Sequence, residues 1–247
     1  MASGKWIAAI AGVVLLVTAG ADETSDLAQE LANPIAAIIS VPFQWNRDDN
    51  IGATDSGRRT MLNFQPVIPF GLHNGANIIT RTIVPYIGQE NGVPVTSQSG
   101  FGDILQNAWY SPAPQGDLIW GVGPIMRIPT GSDVSSDTWA AGITGIGVVQ
   151  TGNWTYGALA NHIWDIESNP DTPTNSTLLQ PFVAYTTETA LMVSLQSEST
   201  YDWEAEQWSI PVNLAVSKLA ILGQVPVNFQ GGLGDWAEAP STGPEGI

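Results

Sequence analysis

The sequence predicts an all-β protein, an up-and-down antiparallel transmembrane β-barrel, on three observations. Segments of about ten residues, rich in Val, Ile, Thr, Trp and Phe, follow one another between clusters of Gly, Pro, Asn and Asp. Their connections alternate between tight turns and long loops, as they do at the two rims of such a barrel. Beyond the N-terminal run, no stretch reaches 18 consecutive apolar residues, so no transmembrane helix is expected.

The N-terminal run sets the expected compartment. Lys5 precedes an apolar segment, Trp6 to Val17, that is too short to cross a bilayer comfortably. Thr18-Ala19-Gly20-Ala21 then offers small residues at the two positions a signal peptidase reads, which predicts a signal peptide over 1–21, with an anchor helix as the alternative. Asp26-Leu27-Ala28-Gln29-Glu30-Leu31 has an acidic start and an end before Pro34, so 22–34 reads as a short periplasmic or plug helix. The barrel is expected over 35–247.

Eleven strands are readable: 35–45, 60–71, 77–87, 101–111, 117–129, 139–150, 153–164, 177–187, 190–201, 207–219 and 225–236. Each is long enough to cross a hydrocarbon core as a tilted strand. His73-Asn74-Gly75, Pro114 to Asp117, Gly152-Asn153, Thr187-Glu188 and Gly223-Gln224 are the tight turns, and Asn-Gly is a favoured hairpin pair. Long loops are expected over 46–59, 88–100, 130–138, 165–176, 202–206 and from 237.

Period-two alternation is clearest in two segments. Trp208, Ile210, Val212, Leu214 and Val216 oppose Ser209, Pro211, Asn213, Ala215 and Ser217; Leu118, Trp120, Val122, Pro124, Met126 and Ile128 oppose Ile119, Gly121, Gly123, Ile125 and Arg127. Lipid outside and a polar, small-residue lumen inside would give this pattern. The segment 139–150 alternates too weakly for its faces to be assigned. Trp45, Tyr86, Trp109, Tyr110, Trp139, Trp154, Trp164, Tyr185, Tyr201, Trp203, Trp208 and Trp236 lie near strand ends, where aromatic girdles are expected.

Composition narrows the function. The chain carries a formal charge of −16, with seven Lys plus Arg against 23 Asp plus Glu, which removes nucleic acid as a natural partner. It has no cysteine, so disulfides cannot hold an exported fold together. Acidic residues gather between the apolar segments, where they read as solvated loops or, less readily, as divalent-cation ligands.

Charges inside strands are the best functional candidates, because a charge facing lipid is costly. Arg81 and Arg127 fall on the lumen face, Asp103 and Glu198 are their candidate partners, and Gln180, Asn213 and Asn228 are candidate lumen lining. An ion-pair brace and a selectivity ring both fit this set. No catalytic residue, metal ligand or cofactor is expected. A lipid hydrolase would need a Ser and a carboxylate or amide brought to His162, which no spacing reveals.

Several strand-borne motifs carry a resemblance. They are Asn33-Pro34-Ile35 with Val41-Pro42-Phe43-Gln44, Asn63-Phe64-Gln65-Pro66-Val67-Ile68-Pro69-Phe70, Ile79-Thr80-Arg81-Thr82-Ile83-Val84-Pro85, Gly100-Phe101-Gly102-Asp103-Ile104, Trp120-Gly121-Val122-Gly123-Pro124 and Leu178-Leu179-Gln180-Pro181-Phe182. Over about 27–245 the chain resembles the outer-membrane family named after the meta-pathway of phenol degradation. The resemblance implies an outer-membrane barrel for uptake of small solutes, hydrophobic or aromatic ones included. It also implies about 12 strands, one more than is visible, with no catalytic residues to transfer. Outer-membrane lipids and small solutes are the expected partners; a structural or binding surface barrel is the alternative.

Overall fold

The computed structural model describes residues 21–52, 55–91, 97–114, 116–167, 173–241 and 243. Most of the expected signal peptide, 1–20, lies outside the described residues. Among the described residues the chain is all-β apart from one helix, α1 (Ala21–Leu31). The strands are β1 (Phe43–Ile51), β2 (Gly57–Phe64), β3 (Val67–Gly71), β4 (Asn77–Glu90), β5 (Gln98–Phe101), β6 (Ile104–Ser111) and β7 (Leu118–Ile128). They continue with β8 (Ala140–Thr151), β9 (Trp154–Asp165), β10 (Asn175–Thr186), β11 (Leu191–Ser197), β12 (Ser199–Asp202), β13 (Gln207–Leu222) and β14 (Val225–Glu238).

All fourteen belong to one sheet, and every pairing is antiparallel. Three pairs, β2 with β3, β5 with β6, and β11 with β12, are single long strands interrupted once, so the sheet is a meander of eleven rungs. Each interruption has a local cause. Pro66 has no N–H to give the ladder between β2 and β3, though its carbonyl still accepts from the Thr82 amide at 3.1 Å. Between β5 and β6 the register runs from Phe101↔Tyr86 to Leu105↔Ile83, which inserts one extra residue, a bulge at Gly102-Asp103. That bulge turns Asp103 toward the concave face. At Glu198, the break falls beside Pro181 and Pro211 on the two neighbouring strands, neither of which can donate to the ladder.

The tight turns lie where the sequence places them, and the strands reach further into the expected loops. The first strand is displaced: β1 begins at Phe43 rather than 35 and continues to Ile51 through a stretch that reads as loop. Upstream of β1, Ser40 alone bridges to Val67 of β3. The polar run Asn46-Arg47-Asp48-Asp49-Asn50 pairs with β2 because its charges match across the ladder, Asp49 opposite Arg58 and Asp48 opposite Arg59. Arg47 Nε and Arg58 Nε lie 3.0 Å and 2.9 Å from the Asp49 carboxylate on the convex face.

Glycine is required at two kinds of place. Gly75 takes φ +80° in the turn before β4, a left-handed conformation that side chains disfavour. At Gly142 the backbone of β8 runs so close to β9 that an added Cβ would sit 1.8 Å from the His162 carbonyl oxygen.

The sheet curls. Its convex face carries exposed apolar side chains on strand after strand, among them Phe64, Phe70, Tyr86, Trp120, Ile143, Trp154, Leu195, Leu214 and Phe229. The alternations read in β7 and β13 fall as the sequence predicts, with Leu118, Trp120, Val122 and Met126 exposed and Gly121 and Ile125 covered. In β8, Thr144, Ile146 and Val148 point inward and Ile143 outward. The alternation there is weak because the outward positions include the small residues Ala141, Gly145 and Gly147. Trp109, expected in a girdle, is instead fully buried on the concave side, in the space left by Gly121.

Inside the curl, Ile35, Val67, Ile79, Trp109, Ile146, Val148 and Leu159 form one apolar cluster. A second, Leu27, Ala28, Ala190 and Leu219, docks α1 against the sheet at the end that carries the tight turns. Leu27, Ala28 and Leu31 share one face of the helix, and that face is what it buries. Gln29 Nε2 donates to the Gly152 carbonyl at 2.7 Å, and Gln150 Nε2 donates to the Gln29 carbonyl at 2.8 Å, fixing the helix to the β8–β9 turn. Asn33 Oδ1 accepts from the Ile35 amide at 3.0 Å and, with Pro34, redirects the chain into the curl.

Candidate functional site: the concave face

The concave face holds two groups of charge. The first sits toward the end with the long loops. Arg127 Nε is 3.5 Å from Asp103 Oδ2 and Arg127 Nη2 is 3.7 Å from Asp165 Oδ1, and all three side chains are largely buried. Nη2 also donates to Thr174 Oγ1 at 2.6 Å and to the Thr138 carbonyl at 3.4 Å. Asp103 accepts from Ser135 Oγ at 2.6 Å and from the Ser136 amide at 3.0 Å, and Asp165 accepts from the Thr174 amide. One guanidinium therefore ties the loop after β7 and the end of the loop before β10 to the sheet. The chemistry of this group is bracing, because both Asp103 oxygens, Asp165 Oδ2 and Arg127 Nη2 are turned onto the loops, while Arg127 Nε and Asp165 Oδ1 face each other's charges without a hydrogen bond.

The second group is looser. Arg81 stacks its guanidinium 5.5 Å above the Trp109 ring. Arg81 and Glu198 attract each other across the concave space, at longer range than an ion pair. Gln180 Nε2 reaches Glu198 at 3.5 Å. Arg81 Nε and the Oδ1 of its cross-strand neighbour Asn107 are buried without a hydrogen-bond partner. Unmatched polar atoms of this kind call for an ordered water.

Of the seven residues proposed from sequence, Arg127 with Asp103 lie in the first group and Arg81, Glu198 and Gln180 in the second. Asn213 and Glu198 line a cavity of about 470 Å³ in the concave space, and Asn228 is buried lower down on β14. Asp165 is the member that sequence reading misses, since it falls in an expected loop. Continuing the alternation Thr155, Gly157, Leu159, Asn161, Ile163 by one step would have placed it inward.

His162 lies on the convex face, away from these charges. Its Nδ1 is 2.8 Å from Thr177 Oγ1, and its ring lies near Trp164 and Trp203. These partners hold it within an aromatic patch completed by Tyr201 and Trp208. Among the described residues, no group of three or more His, Cys, Asp or Glu is placed to hold a metal ion.

At the turn end, a cleft of about 420 Å³ lies between α1 and the sheet, lined by residues including Glu30, Asn33, Ser111 and Gln150. Burial pushes the Glu30 carboxyl up from its ordinary range. The unfolded chain then releases this proton at lower pH than the folded one. Docking stability is full at acid pH, falls as pH rises through the ordinary Glu value, and is fully reduced above the raised folded value. Glu30→Gln is expected to remove that fall. Proteolysis of the 24–38 segment against pH should show the variant more protected at neutral pH and equal to the parent in acid.

Compared with models of known families, with curated proteins and with solved structures, the chain finds no match.

Proposed function

We propose that the curled sheet is a transmembrane β-barrel of a bacterial outer membrane that takes up small solutes through its concave space. The convex belt of exposed apolar side chains carries this reading. On β2 and β3 it runs from Leu62 through Phe64 and Ile68 to Phe70. Those eight steps span ~26 Å along the strand, or about 20 Å across a membrane once tilted about 40°, close to the apolar band of such barrels. A soluble monomer rarely exposes so much contiguous apolar surface. Trp154, Tyr185, Trp164, Trp203 and Trp208 supply exposed aromatic side chains near strand ends, as an interface belt requires.

The position of α1 favours gated uptake over a constantly open bore. The helix and the Ile35 cluster stand across the turn end of the concave space, leaving the cleft beside Glu30, so a solute entering past the long loops meets a plug. Passage requires that the 24–38 segment move. Leu27→Asp with Ala28→Asp buries two charges in the docking contact and is expected to release it.

Reconstituted full chain should show rare, small conductance steps in planar bilayers, and the double variant frequent and larger ones, at equal heat-modifiable migration on gels. If neither protein conducts or admits solute into liposomes, the uptake reading fails.

A further inference from the structure

We propose that the seam between β1 and β14 is a binding site for one extended polypeptide strand running antiparallel to both. The inference rests on the barrel reading above for the side-chain pattern of that strand, and on sheet geometry alone for its direction.

Both edges face one space. Gln44 and Asn46 of β1 line the 470 Å³ cavity together with Gln230 and Gly232 of β14. Leu214 and Leu233, which belong to the apolar convex face, line it too, so the opening passes through the wall. Among the described residues, β1 pairs only with β2 and β14 only with β13. Two ladders of N–H and C=O groups therefore border the same gap. In hydrocarbon such groups have no water to turn to and must be covered by another strand.

Direction selects the occupant. Ten antiparallel steps separate the first rung from the eleventh, so β1 and β14 run the same way, from the turn end to the loop end. They cannot join each other antiparallel. A second copy of the chain in the same membrane orientation brings only edges that again run parallel. One strand running from the loop end to the turn end satisfies both edges with the same antiparallel geometry as the rest of the sheet. Pro240 and Gly243, after β14, line the cavity at the end from which such a strand would start. Its side chains should alternate, apolar beside Leu214 and Leu233 and small or polar beside Gln44, Asn46 and Gln230.

The chain has no cysteine, so introduced ones report cleanly. The probe is a synthetic twelve-residue peptide alternating Val or Leu with Ser or Thr, with a Cys at one central polar position. It is added while the full chain refolds in detergent micelles. Both single variants, Asn46→Cys and Gln230→Cys, should form a mixed disulfide with it. A peptide of the same composition without alternation should react at least tenfold less. Amides of β1 and β14 should exchange at least tenfold more slowly with the alternating peptide present.

Three results would overturn the proposal. The first is a rapid intramolecular disulfide in the Asn46→Cys/Gln230→Cys chain without peptide, which means that the edges close on each other. The second is dimerisation that protects the same amides. The third is equal labelling by both peptides, or none. Capture of the peptide in micelles by a chain that fails to insert into vesicles would instead remove the membrane reading and leave the seam in place.

Discussion

Replacing Arg127 by Met is expected to destabilise the protein by about 3–5 kcal/mol, the usual cost of leaving a buried ion network without its counter-charge. Asp103 and Asp165 would be stranded together, with their side chains only 14% exposed. The damage should spread to the loops, because Thr138 and Thr174 lose the guanidinium that holds them. Urea titration in detergent micelles measures the loss, and limited proteolysis should cut first within 130–138 and 166–174. The triple change Arg127→Met, Asp103→Asn, Asp165→Asn should recover most of the stability, since no buried charge then lacks a partner. A single change that costs under about 1 kcal/mol would mean that the network does not brace the loops.

Trp109→Ala should cost a similar amount, about 3–5 kcal/mol, by emptying the centre of the larger apolar cluster. The indole is wholly buried and its Nε1 donates to Thr144 Oγ1 at 3.2 Å. The substitution also removes the surface on which Arg81 is stacked. Trp109→Phe keeps most of the filling and loses the hydrogen bond, so its cost should be nearer 1 kcal/mol. Unfolding curves for the two variants separate packing from the hydrogen bond. If both variants lose the same stability, cavity formation is not what the indole prevents.

Much of the strand order is legible in the sequence because one face of each strand differs in chemistry from the other. In β7 and β13 that difference is plain, and the inward and outward residues follow it. It fails where both faces carry the same kind of residue. Along β1, Asn46 to Asn50 is polar on both sides, and only the charge matches across the ladder, Asp49 with Arg58 and Asp48 with Arg59, reveal a strand. Trp109 looks like an interface residue by type, while its burial depends on Gly121 across the ladder, a relation between strands that no single segment records. The partners of Arg127 were partly legible, since a lumen-facing cation needs an anion. That Asp103 faces inward depends on the bulge at Gly102, and Asp165 lay hidden in an apparent loop.

The interruption at Glu198 has a mechanical consequence. With Pro181 and Pro211 on either side, the wall at this rung is held by fewer backbone links than the ladders around it. A curled sheet weakened along one short line bends there before it bends elsewhere. The curvature of the sheet can then relax at this hinge without unzipping β10 from β9 or β13 from β14. The width of the inner space is thus most compliant beside Glu198, on the side that faces Arg81 across it.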